Sequence, residues 1–197
     1  IGRVDIEGKG EGLSFETMEF TLDLKASSLA LHEQARLSTL QVGVRKKGPQ
    51  IRWSVQGLLD TSHQIQAQGI VEIARPWPVS VQISHFSFPF DQTVWRNKRP
   101  VQFQFDPNCF HISSLEIESE HGLISIQGKV EWTGPQELKI MVTGLPLTAI
   151  ELWAGLPFPL KGTAHGEIDL TGSRRSPEIE GKIKIDKGTI AGFTFEQ

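Results

Sequence analysis

Apolar side chains recur at every second position through much of this chain, the spacing that puts them on one face of a β-strand because successive strand side chains point to opposite sides. Ile51, Trp53 and Val55 keep that phase, as do Ile65, Ala67, Gly69, Val71 and Ile73, and then Val101, Phe103 and Phe105. It resumes at Ile124, Ile126, Gly128, Val130 and Trp132, at Leu138, Ile140 and Val142, at Ile168 and Leu170, and at Ile183 and Ile185. Arg52, Gln66, Glu72, Gln104, Gln127, Glu131 and Lys139 stand between them. One greasy face and one charged face is the pattern of antiparallel sheets. The chain is therefore expected to be all-β, with strand over more than half its length, in an extended, bent and mostly antiparallel sheet.

Turn residues punctuate the strands at Lys46-Lys47-Gly48-Pro49, Asp106-Pro107-Asn108, Glu120-His121-Gly122, Thr133-Gly134-Pro135, residues 173–177 and Asp186-Lys187-Gly188, which predicts short hairpins. Helix is expected in at most one or two short pieces, the best of them at 147–154 between Pro146 and Gly155. Residues 86–97 fit neither period and read as a crossing loop, and Gly8-Lys9-Gly10-Glu11-Gly12 reads as a flexible turn. A looser pattern of glycine, any residue, aliphatic, charge and apolar residue recurs from Gly2, Gly69, Gly128, Gly166 and Gly181. Each of these glycines shares the apolar phase and so removes a side chain from the greasy face, which suits a sheet that bends there. Chance recurrence in a strand-rich sequence is the alternative. The spacing is too irregular for a solenoid.

Composition narrows the functional classes. With 197 residues, 38% hydrophobic and 22% charged, the chain has enough for a folded body. No apolar run approaches the roughly 20 residues of a membrane-spanning helix. A net charge of −3 with scattered basic residues disfavours nucleic acid. Cys109 is the single cysteine, which excludes an internal disulfide and a multi-cysteine metal site. His32, His63, His85, His111, His121 and His165 lack a second ligand at a metal-binding spacing and read as surface residues. No nucleophile elbow or phosphate loop is present. Glu116 and Glu118 share a strand face, but nothing in the pattern buries them as a catalytic pair would need. No catalytic residue, metal or cofactor is expected.

The remaining charges read as strand furniture. Glu167 and Asp169 are placed to face Lys182 and Lys184 across the turn at 173–177. The basic clusters Arg45-Lys46-Lys47, 96–99 and Arg174-Arg175 are expected in solvated turns, with a rim for anionic lipid headgroups as the sharper alternative. Alternation is already running at Ile1-Gly2-Arg3-Val4-Asp5-Ile6 and still running at Phe193-Thr194-Phe195, so the chain is read as one continuous segment, 1–197, of a longer protein.

Residues Leu160-Lys161-Gly162-Thr163-Ala164-His165-Gly166-Glu167-Ile168-Asp169-Leu170-Thr171-Gly172-Ser173, with Ser176-Pro177-Glu178-Ile179-Glu180-Gly181-Lys182-Ile183 and Ile185-Asp186-Lys187-Gly188-Thr189-Ile190-Ala191-Gly192-Phe193, resemble the repeated strand pairs of the TamB and AsmA-like family. Residues 115–153 look like another stretch of the same pattern. The resemblance is better over 109–197 and looser over 1–108. It implies a U-shaped hydrophobic groove, a periplasmic location, an inner-membrane anchor elsewhere in the parent protein, and a role in moving phospholipid toward the outer membrane. It also implies, as a second role, outer-membrane protein assembly with a β-barrel partner. No catalytic motif of the family exists to carry over.

The expectation is thus a non-enzymatic scaffold whose apolar phase binds phospholipid acyl chains. Ile51, Trp53, Val55, Ile65, Val71, Ile73, Val101, Phe103, Phe105, Ile124, Ile126, Val130, Ile140, Val142, Ile168, Leu170, Ile183 and Ile185 are the expected lining. A scaffold that pairs its open strand edges with client strands is the alternative. In a closed sandwich or barrel the same residues would fill an ordinary core.

Overall fold

Alternation in the sequence becomes strand nearly everywhere in the computed structural model, which describes residues 2–32, 35–59, 63–74, 77–90, 93–149, 159–190 and 193–195. The strands are β1 (Arg3–Glu11), β2 (Glu19–His32), β3 (Ala35–Lys47), β4 (Gln50–Leu59), β5 (His63–Ile73), β6 (Val79–Phe90), β7 (Thr93–Asn97), β8 (Val101–Phe105), β9 (Cys109–Glu118), β10 (Leu123–Glu131), β11 (Gln136–Pro146), β12 (Leu160–Ser173), β13 (Ser176–Ile190) and β14 (Phe193–Phe195). Residues 147–149 are helical, and the rest of the expected helix at 147–154 lies outside the described residues. The protein is all-β and antiparallel, as the alternation requires.

The chain divides into two compact units, one of Ile1–Pro89 with Arg99–Asp106 and the other of Phe90–Lys98 with Pro107–Gln197. In the first, hydrogen-bonded neighbours run β1, β2, β3, β4, β5, β6, β8. In the second they run β7, β9, β10, β11, β12, β13, β14. Most strands pair with the next in sequence, because two-residue turns such as Gly48-Pro49 and Arg174-Arg175 leave no length for a crossover.

Bulges explain where the sequence pattern slips. In β9 the apolar phase passes from Phe110 and Ile112 to Leu115 and Ile117, and the register shifts at that point, opposite Ile126 and Gly128. Ser113 and Ser114 absorb the extra residue, so all four apolar side chains keep one face. β6 does the same, with Val79, Val81 and Ile83 followed by Phe86, and the shift falls beside Gly69. Residues 86–97 are therefore not a crossing loop: they hold the end of β6 and all of β7, and the bulge broke their period. Gly128 (φ 130°), Gly144 (φ 64°) and Gly162 (φ 110°) stand at or within register shifts of β9 to β13, in backbone conformations that L side chains rarely adopt.

Two further expectations need correction. Gly8 to Glu11 belong to β1 and are not a turn; the turn lies at 12–18. Arg45-Lys46-Lys47 are also not in a turn but end β3, and they point to alternate faces. Arg45 lies directly opposite Arg52 on the polar side, while Lys46 falls in the apolar phase and is only 2% exposed. Its ammonium is satisfied there: Nζ donates to the carbonyls of Phe15 (2.5 Å), Met18 (2.9 Å) and Gly48 (2.9 Å) and lies 4.3 Å from the centre of the Phe15 ring. A buried charge with this many acceptors is tolerable, and it ties the β1–β2 turn to the end of β3.

Candidate functional site

Residues directly opposite on paired strands share a face, so the register can be read across each unit. In the first unit one row runs Ile6, Leu24, Val42, Val55, Ala67, Phe86. The row beside it runs Gly8, Leu22, Val44, Trp53, Gly69, Ile83, Val101, and Ile51, Val71, Val81 and Phe103 form a third. Ile73 and Phe105 flank Val79, and Ile65 lies opposite Gly57. The expected lining residues of this unit thus occupy a single face. Gly69 is required in its row: a Cβ there would fall 2.9 Å from the Trp53 ring and against the Gln82 carbonyl, so the indole lies across the space the glycine leaves.

The second unit repeats the arrangement. Leu115, Ile126, Ile140, Ile168 and Gly181 form one row; Ile117, Ile124, Val142, Gly166 and Ile183 form the next. Leu138, Leu170 and Ile179 continue the face, as do Phe110 with Val130 and Ala164 with Ile185. Between β12 and β13 the pairing is reciprocal, Gly166 opposite Ile183 and Ile168 opposite Gly181, so each isoleucine meets a glycine. A Cβ on either glycine would lie 3.3 Å from the facing isoleucine's Cγ1 and closer still to backbone.

These faces are apolar but only partly covered. Val101 and Ile124 are buried, Ile183 is 61% exposed, and the other expected lining residues are half-buried. Val4 (51%), Ile6 (64%) and Ile179 (70%) on the same faces are exposed as well. Lines of this length with so much exposed hydrocarbon ordinarily mark binding surfaces. The expected lining did not include Val4, Ile6, Leu22, Leu24, Val42 and Val44, though the same period-two signal runs through them.

In the second unit the ion pairs lie on the reverse face. Lys129 Nζ lies 3.2 Å from Glu131 Oε1 and 3.7 Å from Glu137 Oε2, and the Glu131 hydrogen bond, then the Glu137 charge, holds its pKa above the ordinary lysine value. Lys139 pairs with Glu167, whose hydrogen bond and charge likewise raise it. Asp186 accepts a hydrogen bond from Lys184 Nζ (2.9 Å), which lowers its pKa below the usual carboxylate range. The cross-strand charge expectation holds in part. Glu167 does oppose Lys182, but Asp169 opposes Glu180, and Lys184 opposes His165.

His165 is held by structure: its Nδ1 accepts from the Gly144 N–H (3.2 Å), leaving Nε2 3.4 Å from Asp186 Oδ2. Among the described residues no three His, Cys, Asp or Glu side chains are grouped to hold a metal, and no helix is long and apolar enough to cross a membrane. No protein-family model, curated protein or solved structure matches this chain.

Proposed function

We propose that this chain is a non-enzymatic lipid-binding scaffold whose apolar faces conduct phospholipid acyl chains between inner and outer membranes, as part of a periplasmic protein anchored in the inner membrane. One observation carries the reading: in each unit, rows of aliphatic and aromatic side chains cross successive strands on one face, partly exposed, while the ion pairs of the second unit lie on the reverse. Each methylene that leaves water gains about 0.8 kcal/mol, so acyl chains would settle readily on such a surface. A bilayer offers them nearly the same environment, so transfer from membrane to protein is close to neutral and a chain can slide without being trapped. The resemblance of residues 160–193 to TamB and AsmA-like strand pairs supports the compartment and the lipid.

A second reading has its own observation. Every residue of β1 is exposed, and among the described residues the strand pairs only with β2. Such an edge suits β-augmentation by a client strand or a barrel partner. Photo-crosslinking separates the two. With a photoreactive residue at Ile126 or Ile168, lipid adducts are expected in the full-length parent; at Glu131 or Lys184, on the reverse face, they are not. Equal labelling of both faces would remove the acyl route, whereas protein adducts concentrated on β1 would favour assembly.

A further inference from the structure

One end of the second unit carries a cavity of about 630 Å³ lined by Trp132, Thr133, Ser173, Arg174 and Arg175. The two turns that form it are brought together by the bridge between Pro135 and Ser173. The Trp132 turn is firmly held: its backbone N–H donates to the Asn108 carbonyl (2.8 Å), and the buried Gln136 amide donates to the carbonyls of Glu131 (2.8 Å) and Gly134 (3.4 Å). The indole remains 43% exposed. It follows Val130 by two positions, one step past the end of β10, and so continues the period of the apolar face into the turn.

The arginines are not there for the turn. Two-residue hairpin loops favour glycine, asparagine or aspartate in left-handed backbone. Arg174 and Arg175 supply neither the residue type nor that conformation, since outside glycine the described residues with positive φ are Ser28 and Lys187. Neither guanidinium has an ion pair among the described residues. None of the described lining residues is acidic; beside the two turns, Glu131 is paired with Lys129, and Glu178 lies opposite Thr171. A ring, two hydroxyls and two unneutralised guanidiniums at the mouth of an apolar face form a donor set without an acid. We infer that this cavity binds an oxyanion of the phosphate class, held by Arg174 and Arg175, with any attached hydrocarbon leaving over Trp132 onto the apolar face. That last step rests on the acyl-chain reading above; the anion site does not.

The test uses the whole chain and three probes: inorganic phosphate, monododecyl phosphate, and monolaurin as a neutral amphiphile of equal chain length, each titrated below its micelle concentration by calorimetry. The anionic amphiphile is expected to bind about tenfold tighter than monolaurin, as charge-assisted bonds from arginine would give. Replacing both arginines (R174Q with R175Q) should abolish that preference and leave monolaurin unchanged. Saturable binding of inorganic phosphate that is lost in the same variant would identify a free oxyanion as a sufficient ligand. Preference for dodecyl phosphate without phosphate binding would identify an acyl-borne head group. Equal binding of the two amphiphiles, or a preference that survives R174Q/R175Q, overturns the anion site while leaving the apolar face intact. Phosphate binding with no monolaurin binding retains the site and removes the acyl reading, and failure of all three probes overturns the proposal.

Discussion

Ile183 offers a clean test of whether hydrocarbon covers the apolar face, because it lies in the middle of β13 yet is 61% exposed. Full burial of an isoleucine side chain is worth about 1.5–3 kcal/mol, so the covered two-fifths puts only about 1 kcal/mol of folding stability at risk in Ile183→Asp. For a chain of this size that lowers Tm by about 2–4 °C. Ligand binding is affected far more. An acyl chain lying here would cover the remaining surface, worth about 1–2 kcal/mol, and an unpaired carboxylate beneath it costs several kcal/mol more. A loss of at least about 3 kcal/mol is more than a hundredfold in Kd. Titration with a fluorescent fatty acid measures it directly, with Lys182→Ala on the reverse face as the control expected to bind normally. A folded Ile183→Asp protein with an unchanged Kd would refute the claim that this face carries acyl chains.

Backbone conformation gives a paired prediction by thermal denaturation. Gly128→Ala must adopt φ near 130° and drive its Cβ into the Glu137 carbonyl, and should cost more than about 2 kcal/mol. Gly48→Ala, also in left-handed backbone (φ 57°) but with nothing within 4 Å of its Cβ, should cost only about 1 kcal/mol. The Asp186 carboxylate is favoured in the folded state, so its contribution to stability is present above the ordinary value of 3.8 and is lost as pH falls through the lower folded midpoint. Lys184→Gln should move that midpoint upward, as read by carboxyl NMR titration.

Fold class was legible because alternation is a direct image of a two-faced strand, and within each unit the apolar residues that hold this phase, from Ile51 to Ile185, share a face for the same reason. Legibility failed where the backbone inserts a residue. Ile83 to Phe86 changes parity at a bulge, and a period count cannot distinguish that from a loop. It failed again at Lys46, whose charge suggests solvent although its position in β3 points it to the apolar side; only the carbonyls of Phe15, Met18 and Gly48 make its burial possible, and two of these come from about thirty residues away in sequence. The Trp132 and Arg174-Arg175 cavity was half visible. Both turns could be read from the sequence, but the Pro135 to Ser173 bridge that joins them could not.

The strand order within each unit bears on how such a chain is assembled. Where each strand hydrogen-bonds to the next in sequence, as from β1 to β6 and from β9 to β14, contacts are local and each new strand closes a short loop against an edge already in place. Folding can then advance hairpin by hairpin as the polypeptide is released from a ribosome or a translocation pore, without waiting for a distant partner. Every intermediate exposes one unpaired edge and an unfinished apolar face, whose area grows with each added strand. Length is thereby decoupled from folding difficulty, and a hairpin can be gained or lost without rearranging the strands before it.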